Sequence, residues 1–505
     1  MASNDSSRQN IQMIGPFDSL RDFIRALEAD GRILRIPELD QDKYQLSGLG
    51  YRLIEKLGYD DSPGFVVERI KIDGEWVNGP VLGNIYGGWD IEGIVFGVDT
   101  ITDNQEQMYR AVLDKLATRL DDNGQWKRIK PIVVECNEAP CKEIIEVGDE
   151  VDLTKFAWLK SNPADAGRYI NTGSLFIEDP NMKNVGTYRC QLKSKNKIGV
   201  NPEIGQDAWR ILMDKKRRGE KVAKAAIALG SDPITWALSS SKLTSFGEDE
   251  MEYAGGLRGK PVEIVKAETC DVFVPAQAEI VIEGEIPLDD MEPEGPYGEM
   301  YGYLGPRKEQ NFYMNVKVIT HRKDPWIVNS FTGVTCDMLK APAVASNYHR
   351  YKKMIPNLTD IITYRGAPGV TVAAIDKKFP GEGMAAGQHI IPNATVKVVI
   401  IVDSDINILK PIEVIHCMGA RWQPSASVMI PQTQLRMLDP SIVTRGLSSK
   451  MIIDATRQLP EEGGPQKFGA YSRVLLDDGA PELFDWIEDK WPDFMNLWKQ
   501  QKNGK

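Results

Sequence analysis

Residues 274–299 read VPAQAEIVIEGEIPLDDMEPEGPYGE, and the folding of this stretch decides how the rest is read. Its first half, AEIVIEG, is rich in β-branched residues, as a strand should be. Its second half carries Glu294 and Glu299 around Gly295, Pro296 and Gly298. Five residues is a poor spacing for one helix face, and an odd spacing puts strand side chains on opposite faces. A Gly-Pro-Tyr-Gly turn can break both rules and swing the two carboxylates to one side. Taken alone, the stretch also reads as a solvated acidic turn in an acidic protein.

Working outward, residues 126–332 are rich in short β-type runs: KPIVVEC from 130, SLFIED, GTYRCQL, PVEIV, DVFVP, AEIVIEG, NVKVIT and WIVNSF at 326–331. Turn residues separate them, and one helix is expected near 206–218. Many strands with short connections predict a barrel or sandwich. Residues 1–125 read as a small α/β domain. Asp18 or Ser19 caps a helix in which Leu20, Phe23, Ile24 and Leu27 recur at helical spacing until Gly31; RILRI is a strand, and helices cover 47–57 and 105–122. Residues 333–505 alternate again, with a helix at 338–355. GVTVAAID and VKVVIIVD are apolar on both faces, like central strands of a covered sheet, and the second ends at Asp403 and Asp405. The tail PELFDWIEDKWPDFMNLWKQ predicts a terminal helix whose Trp486, Trp491 and Trp498 pack onto a domain or a neighbouring subunit.

The totals narrow the function. At 505 residues the chain needs more than one core. A net charge of -11 argues against nucleic acid as the main partner. Six cysteines without a CxxC pair predict reduced thiols, and four histidines without HxH or HExxH argue against a zinc hydrolase. No uncharged apolar stretch is long enough for a membrane span, and the polar start MASNDSSRQN lacks the apolar core of a secretory signal, so a cytoplasmic location is expected.

GNIYGG at 83–88 and GEGMAAG at 381–387 lack both Walker and GxGxxG spacing and read as ordinary turns. NVGTYRCQ at 184–191 is more informative. It sets Asn184, Tyr188 and Arg189 in a β-type run where Gly186 allows close approach of another group. Arg189 reads either as an exposed strand arginine or, if buried, as a charge that must find an anion or carbonyl, with Glu294 and Glu299 as candidate protein partners. EDEMEYAGGLRG at 248–259 offers four acids before a glycine-rich turn, any of which could join an oxygen-rich Mg²⁺ or Mn²⁺ site.

Together these pieces resemble the UbiD family of decarboxylases and carboxylases that use prenylated FMN. The resemblance rests on APCKE at 139–143, NVGTYRCQL at 184–192, the stretch 274–299 and GLSSKMIIDAT at 446–456, in that order, with EYAGGLRG at 252–259. It implies an N-terminal α/β domain (1–125), a central split β-barrel like that of flavin reductases (126–332) and a C-terminal α/β oligomerisation domain (333–505). Carried over by position, Arg189, Glu294 and Glu299 are the expected catalytic trio, with Glu299 as proton donor and acceptor. Asn184, Val185, Gly186, Thr187, Tyr188 and Arg189 would line the flavin, joined by Gln206, Asp207, Glu250 and Lys450. Asn184, Asp207 and Glu250 would hold Mn²⁺ or Mg²⁺, with K⁺ a further candidate ion. The chain departs from the family pattern where several members have a histidine ligand; here Gln206-Asp207 stands. FTGVTCDM at 331–338 also departs from the ubiquinone-pathway version.

The resemblance implies reversible decarboxylation or carboxylation of an aromatic or α,β-unsaturated acid, with CO₂ as co-product or co-substrate. It further implies a homodimer or homohexamer, additional carboxylase subunits in some assemblies, and a flavin prenyltransferase as cofactor supplier. Two alternatives are a conventional FMN oxidoreductase and a non-catalytic scaffold subunit of a carboxylase complex.

Overall fold

Ser19 caps the first helix, Leu20–Ala29, by accepting the Asp22 N–H at 3.2 Å. Leu20, Phe23, Ile24 and Leu27 are fully buried on its inner face, each contributing about 1.5–3 kcal/mol of apolar burial. The computed structural model describes residues 13–180, 182–434, 438–442, 446–470 and 472–503, so the polar start at 1–10 lies outside the described residues.

Three sheets organise the chain. The N-terminal sheet has the order Ile33–Asp40, Gly64–Ile72, Glu75–Gly83 and Ile327–Val328, so its last strand is supplied from far along the sequence. The C-terminal sheet runs Leu358–Thr363, Val370–Ile375, Val398–Asp403, Leu447–Asp454, Ser427–Gln434, parallel in its middle and antiparallel at both edges. Between them lies a ten-stranded sheet. Its main path begins at Tyr169–Ile170 and Cys190–Ser194, continues through Lys197–Val200, Lys308–His321, Ile280–Pro287, Val222–Leu229 and Ser174–Asp179, and finishes at Met182–Thr187. Thr187 ends the last strand of that path and Cys190 opens its second, yet only Tyr188 and Arg189 separate them in the chain. The sheet therefore curls until its last strand meets its second at Tyr188-Arg189. The run GTYRCQL is not one strand but two with a break, and Arg189 sits in the break.

The N-terminal and C-terminal regions are tied together: Arg110 pairs with Asp360, and the Tyr109 hydroxyl donates to the Ile361 carbonyl at 3.4 Å. No helix among the described residues is long and apolar enough to cross a membrane.

Several elements differ from expectation. The helix expected over 105–122 is Gln105–Ala117, because the chain turns at Thr118 to form the Leu120–Trp126 bridge. That expected over 338–355 is Ala341–Lys352. GEGMAAG is a helix, Glu382–Ile390, and its glycines serve close packing: a Cβ at Gly387 would lie 2.2 Å from Ile452. The acidic, glycine-rich run at 248–259 is likewise a helix, Glu250–Arg258, whose Gly256 rests on the Lys127 carbonyl. The terminal helix Leu483–Asn503 forms, but Trp486, Trp491 and Trp498 are 54%, 51% and 56% exposed, so they are left largely uncovered by the described residues.

Candidate active site

Arg189 lies in the break between the strands Met182–Thr187 and Cys190–Ser194, its carbonyl accepting the Asn201 N–H at 3.3 Å. Its guanidinium is bidentate to Glu294, with Nε donating to Oε1 at 2.9 Å and Nη2 to Oε2 at 2.7 Å. Its Nη1 donates to Glu299 Oε1. The Tyr297 ring lies under the guanidinium, 5.1 Å from its centre.

The turn explains the five-residue spacing. Glu294 ends the short strand Glu292–Glu294, which pairs with Lys308–His321. Gly295 takes φ +81°, the left-handed region open to glycine, and a cis peptide joins it to Pro296. Tyr297–Gly298 then pairs with Leu304–Gly305, and the loop between them is closed at its base by Glu299 N–H to Tyr303 O at 2.8 Å. A Cβ on Gly305 would lie 2.7 Å from Glu299 Oε1, so the carboxylate lies across a residue that has no side chain. Both glutamates thereby reach one guanidinium. Glu294 has a 0% exposed side chain and is sealed, whereas Glu299 is 16% exposed and can be approached.

Burial pushes the proton affinity of Glu299 up, Arg189 pulls it down, Glu203 raises it and Lys308 lowers it; the net direction is upward. Burial disfavours the charge on Arg189, but the two carboxylates outweigh that and hold it cationic.

A second group lies along Met182–Thr187. Asn184 is buried and its Oδ1 accepts from the Tyr188 hydroxyl at 3.2 Å. The Val185 N–H donates to Glu250 Oε2 at 3.2 Å, and the Thr244 hydroxyl donates to Oε1 at 3.2 Å. Glu250 opens its helix beside the cap residue Asp249, and burial pushes its carboxyl up to about 7. The Ala208 N–H donates to the Tyr188 hydroxyl at 3.4 Å, which brings the start of the helix Asp207–Arg217 to this group. The Asp207 carboxylate is paired with Lys242, and Gln206 accepts from the Glu203 N–H at 2.6 Å. Among the described residues no cluster of three or more His, Cys, Asp and Glu is suited to a metal; the expected set contains only two such residues, plus an asparagine.

Gly186 does leave space, and the group that fills it is the ring of Tyr188, 2.7–2.9 Å from where a Cβ would stand. Lys450 donates to the carbonyls of Ile391 at 3.0 Å and Asn393 at 2.8 Å. Thr187 meets Ser239 at 3.1 Å, so the helix Pro233–Ser240 also flanks the 184–189 segment.

Sequence reasoning missed Glu203, Lys308, Asn171 and Thr332. Asn171 donates to the Tyr297 hydroxyl at 3.0 Å, and Thr332 lies 3.0 Å from the same hydroxyl. No spacing rule links these positions, because cross-strand pairing brings them together.

With this geometry in place, the relatives are informative. The UbiD 3-octaprenyl-4-hydroxybenzoate carboxy-lyase Rift-related domain matches residues 132–335, and the corresponding C-terminal domain matches 336–455. A phenolic acid decarboxylase of Sedimentibacter hydroxybenzoicus is 28% identical over 501 residues, covering 94% of this chain and 98% of the relative. The UbiD-class enzyme HmfF from Pelotomaculum thermopropionicum, solved in complex with FMN, superposes with TM-score 0.73 at 28% identity, over 90% of this chain and 97% of that one. An evolved dimeric form of HmfF in complex with prFMN gives 0.71 at 26% identity over 90% and 97%. The chain belongs to the UbiD family of carboxy-lyases.

Proposed function

For a carboxy-lyase of this family, we propose reversible, non-oxidative decarboxylation or carboxylation of an aromatic acid, arene or phenolic, with prenylated FMN and with Glu299 as proton donor and acceptor. An α,β-unsaturated acid is the neighbouring substrate class. The observation that carries the reading is the buried Arg189–Glu294 pair presenting one approachable carboxyl, Glu299, at the end of the 184–189 segment. The name of the Sedimentibacter relative supports a phenolic substrate, and the HmfF complexes support the flavin.

The chain's own residues fit such a group. Glu250 is buried and forms no ion pair among the described residues; its partners are an amide N–H and a hydroxyl. A buried carboxylate in that setting favours a nearby cation, and Asn184 supplies a second oxygen. Asn184 and Glu250 would hold a divalent cation that supplies positive charge beside the cofactor. Asp207, paired here with Lys242, would be the third ligand to Mn²⁺ or Mg²⁺. Val185, Gly186, Thr187 and Tyr188 would line the flavin, with Gln206 at its edge, and the curled ten-stranded sheet reads as the split barrel. When bound, prenylated FMN supplies a conjugated electrophilic system that accepts the electron pair released as CO₂ leaves.

Arg189 orients the substrate carboxylate and the Glu299 side chain together. Glu294, locked by two hydrogen bonds, fixes the guanidinium so that its remaining donor points at Glu299. Glu299 gives its proton to the substrate carbon that has lost CO₂, and takes one from carbon in the reverse direction. Burial suits it to hold that proton nearer neutrality than an exposed carboxyl does. We further place the uncovered tryptophan helix at a contact between subunits of a homo-oligomer.

The test is anaerobic co-expression with a flavin prenyltransferase, mass spectrometry of the released small molecule, metal analysis, and turnover of phenolic acids. Prenylated FMN with one equivalent of metal and CO₂ release sustains the reading. Plain FMN with NAD(P)H oxidation points to a flavin oxidoreductase, and an empty site in protein expressed beside a loaded family member points to a scaffold.

A further inference from the structure

Glu203 and Lys308 lie outside the set the family resemblance supplies, yet the fold builds them into the same cluster. Lys308 is the register partner of Glu294 across the short strand pair. Its ammonium donates to Glu203 Oε1 and Asn201 Oδ1. Asn201 is fixed twice: its N–H donates to the Arg189 carbonyl at 3.3 Å, and its Oδ1 accepts from Asn311 Nδ2 at 2.9 Å. Gly199, at the end of the same strand, lets Glu294 Cγ approach to 3.6 Å of where a Cβ would stand. The backbone that holds Arg189 thus also holds the Glu203–Lys308 pair.

The charges form a short inventory. Glu299 is faced by Arg189 from the strand break, Glu294 from its own turn, Glu203 from the segment after Lys197–Val200, and Lys308 from the long strand. Asp165 faces Arg189 from the far side, its oxygens held by the Gly298 N–H at 3.0 Å and the Asn162 N–H at 2.9 Å. Among the described residues the three carboxyls Glu294, Glu299 and Glu203 share the cations Arg189 and Lys308 in a largely buried place, while Asp165 is balanced by Arg189 together with Lys160. Glu294 takes both ends of one guanidinium edge and Glu203 takes the ammonium, which leaves Glu299 with a shared donor. Full ionisation of every carboxyl would leave excess negative charge out of water, which is costly.

We propose that Glu203 and Lys308 are positioning residues for this reaction: lying beside the Arg189–Glu294–Glu299 trio, the negative charge of one and the positive charge of the other act in opposite directions on how readily Glu299 holds its proton, and together they set it. The inference rests on the proposed role of Glu299, but its primary test does not need turnover. The full-length protein is titrated by infrared difference spectroscopy, and the protonated-carboxyl band of Glu299 is identified by its loss in Glu299→Gln.

Removing a negative charge with Glu203→Gln shifts that titration to lower pH by about one unit, and removing the positive charge with Lys308→Met shifts it about as far to higher pH. The paired variant Glu203→Gln/Lys308→Met, which removes both of the opposed charges together, returns it close to the wild-type position. In loaded enzyme the alkaline limb of kcat follows the same three shifts, while KM changes less. A packing role alone cannot produce shifts of opposite sign that cancel. Titrations that stay in place, or move in the same direction in both single variants, overturn the inference even if the enzyme decarboxylates phenolic acids. The predicted shifts without turnover of any acid sustain it and count against the proposed function instead.

Discussion

Replacing Arg189 with methionine tests the electrostatic core of the site most directly. In the native protein both Glu294 oxygens are bonded by this guanidinium, at 2.9 and 2.7 Å, and the Glu294 side chain is 0% exposed. Methionine keeps much of the volume but leaves a sealed carboxylate without its cation. Breaking a buried pair from one side costs about 3–5 kcal/mol. For a folding unit of 150–250 residues each kcal/mol moves the thermal midpoint by about 2–4 °C, so Arg189→Met should melt roughly 6–20 °C lower at neutral pH. Calorimetry measures it, and Arg189→Met/Glu294→Gln, which removes both charges, should recover part of the loss. A deficit below about 2 °C, or a double variant no more stable than Arg189→Met alone, refutes the reasoning.

Glu299→Gln should keep the fold and bound flavin while lowering turnover by about 10²–10⁴-fold, the usual contribution of a general acid; near-normal CO₂ release would remove Glu299 from the chemistry. Asp207→Ala should reduce metal content and flavin retention together, and unchanged metal by elemental analysis would put the third ligand elsewhere. Gly333 takes φ +78° and a Cβ there would lie 2.7 Å from the Glu299 carbonyl oxygen, so Gly333→Ala should displace the turn and lower kcat by about 10²-fold with the flavin still bound; unaltered kcat would show that the turn tolerates the shift. Trp491→Glu should reduce the oligomer mass seen by light scattering, and an unchanged mass would place the subunit contact elsewhere.

Much of the site was legible before any coordinates. The Gly-Pro-Tyr-Gly turn showed how Glu294 and Glu299 could reach one side, but by itself it read as well as a solvated acidic turn, and only the resemblance joined the two to Arg189. Arg189 was legible as a charge needing partners, but not as the residue at a strand break, since GTYRCQL has the composition of one continuous strand. The helices at 250–258 and 382–390 were hidden by glycines, which read locally as turn formers and here permit close packing. Trp89–Phe96 was hidden for the opposite reason: it is buried all round, so no polar face gives it a period. Lys308 and Glu203 were illegible because only the register of Glu294 with Lys308, and of Lys197–Val200 with the long strand, brings them beside the trio.

The strand Ile327–Val328 also bears on how the protein is made. It pairs with Val81 and Leu82, so the N-terminal sheet is completed by residues translated roughly 245 positions after that strand ends. At about 5–20 residues per second, the nascent chain carries an unfinished sheet edge for tens of seconds. An open edge is a template for pairing with the wrong chain, so a ribosome-bound chaperone would have most to protect during that interval. Slowing translation between residues 84 and 327 should lower soluble yield more than slowing it after residue 328.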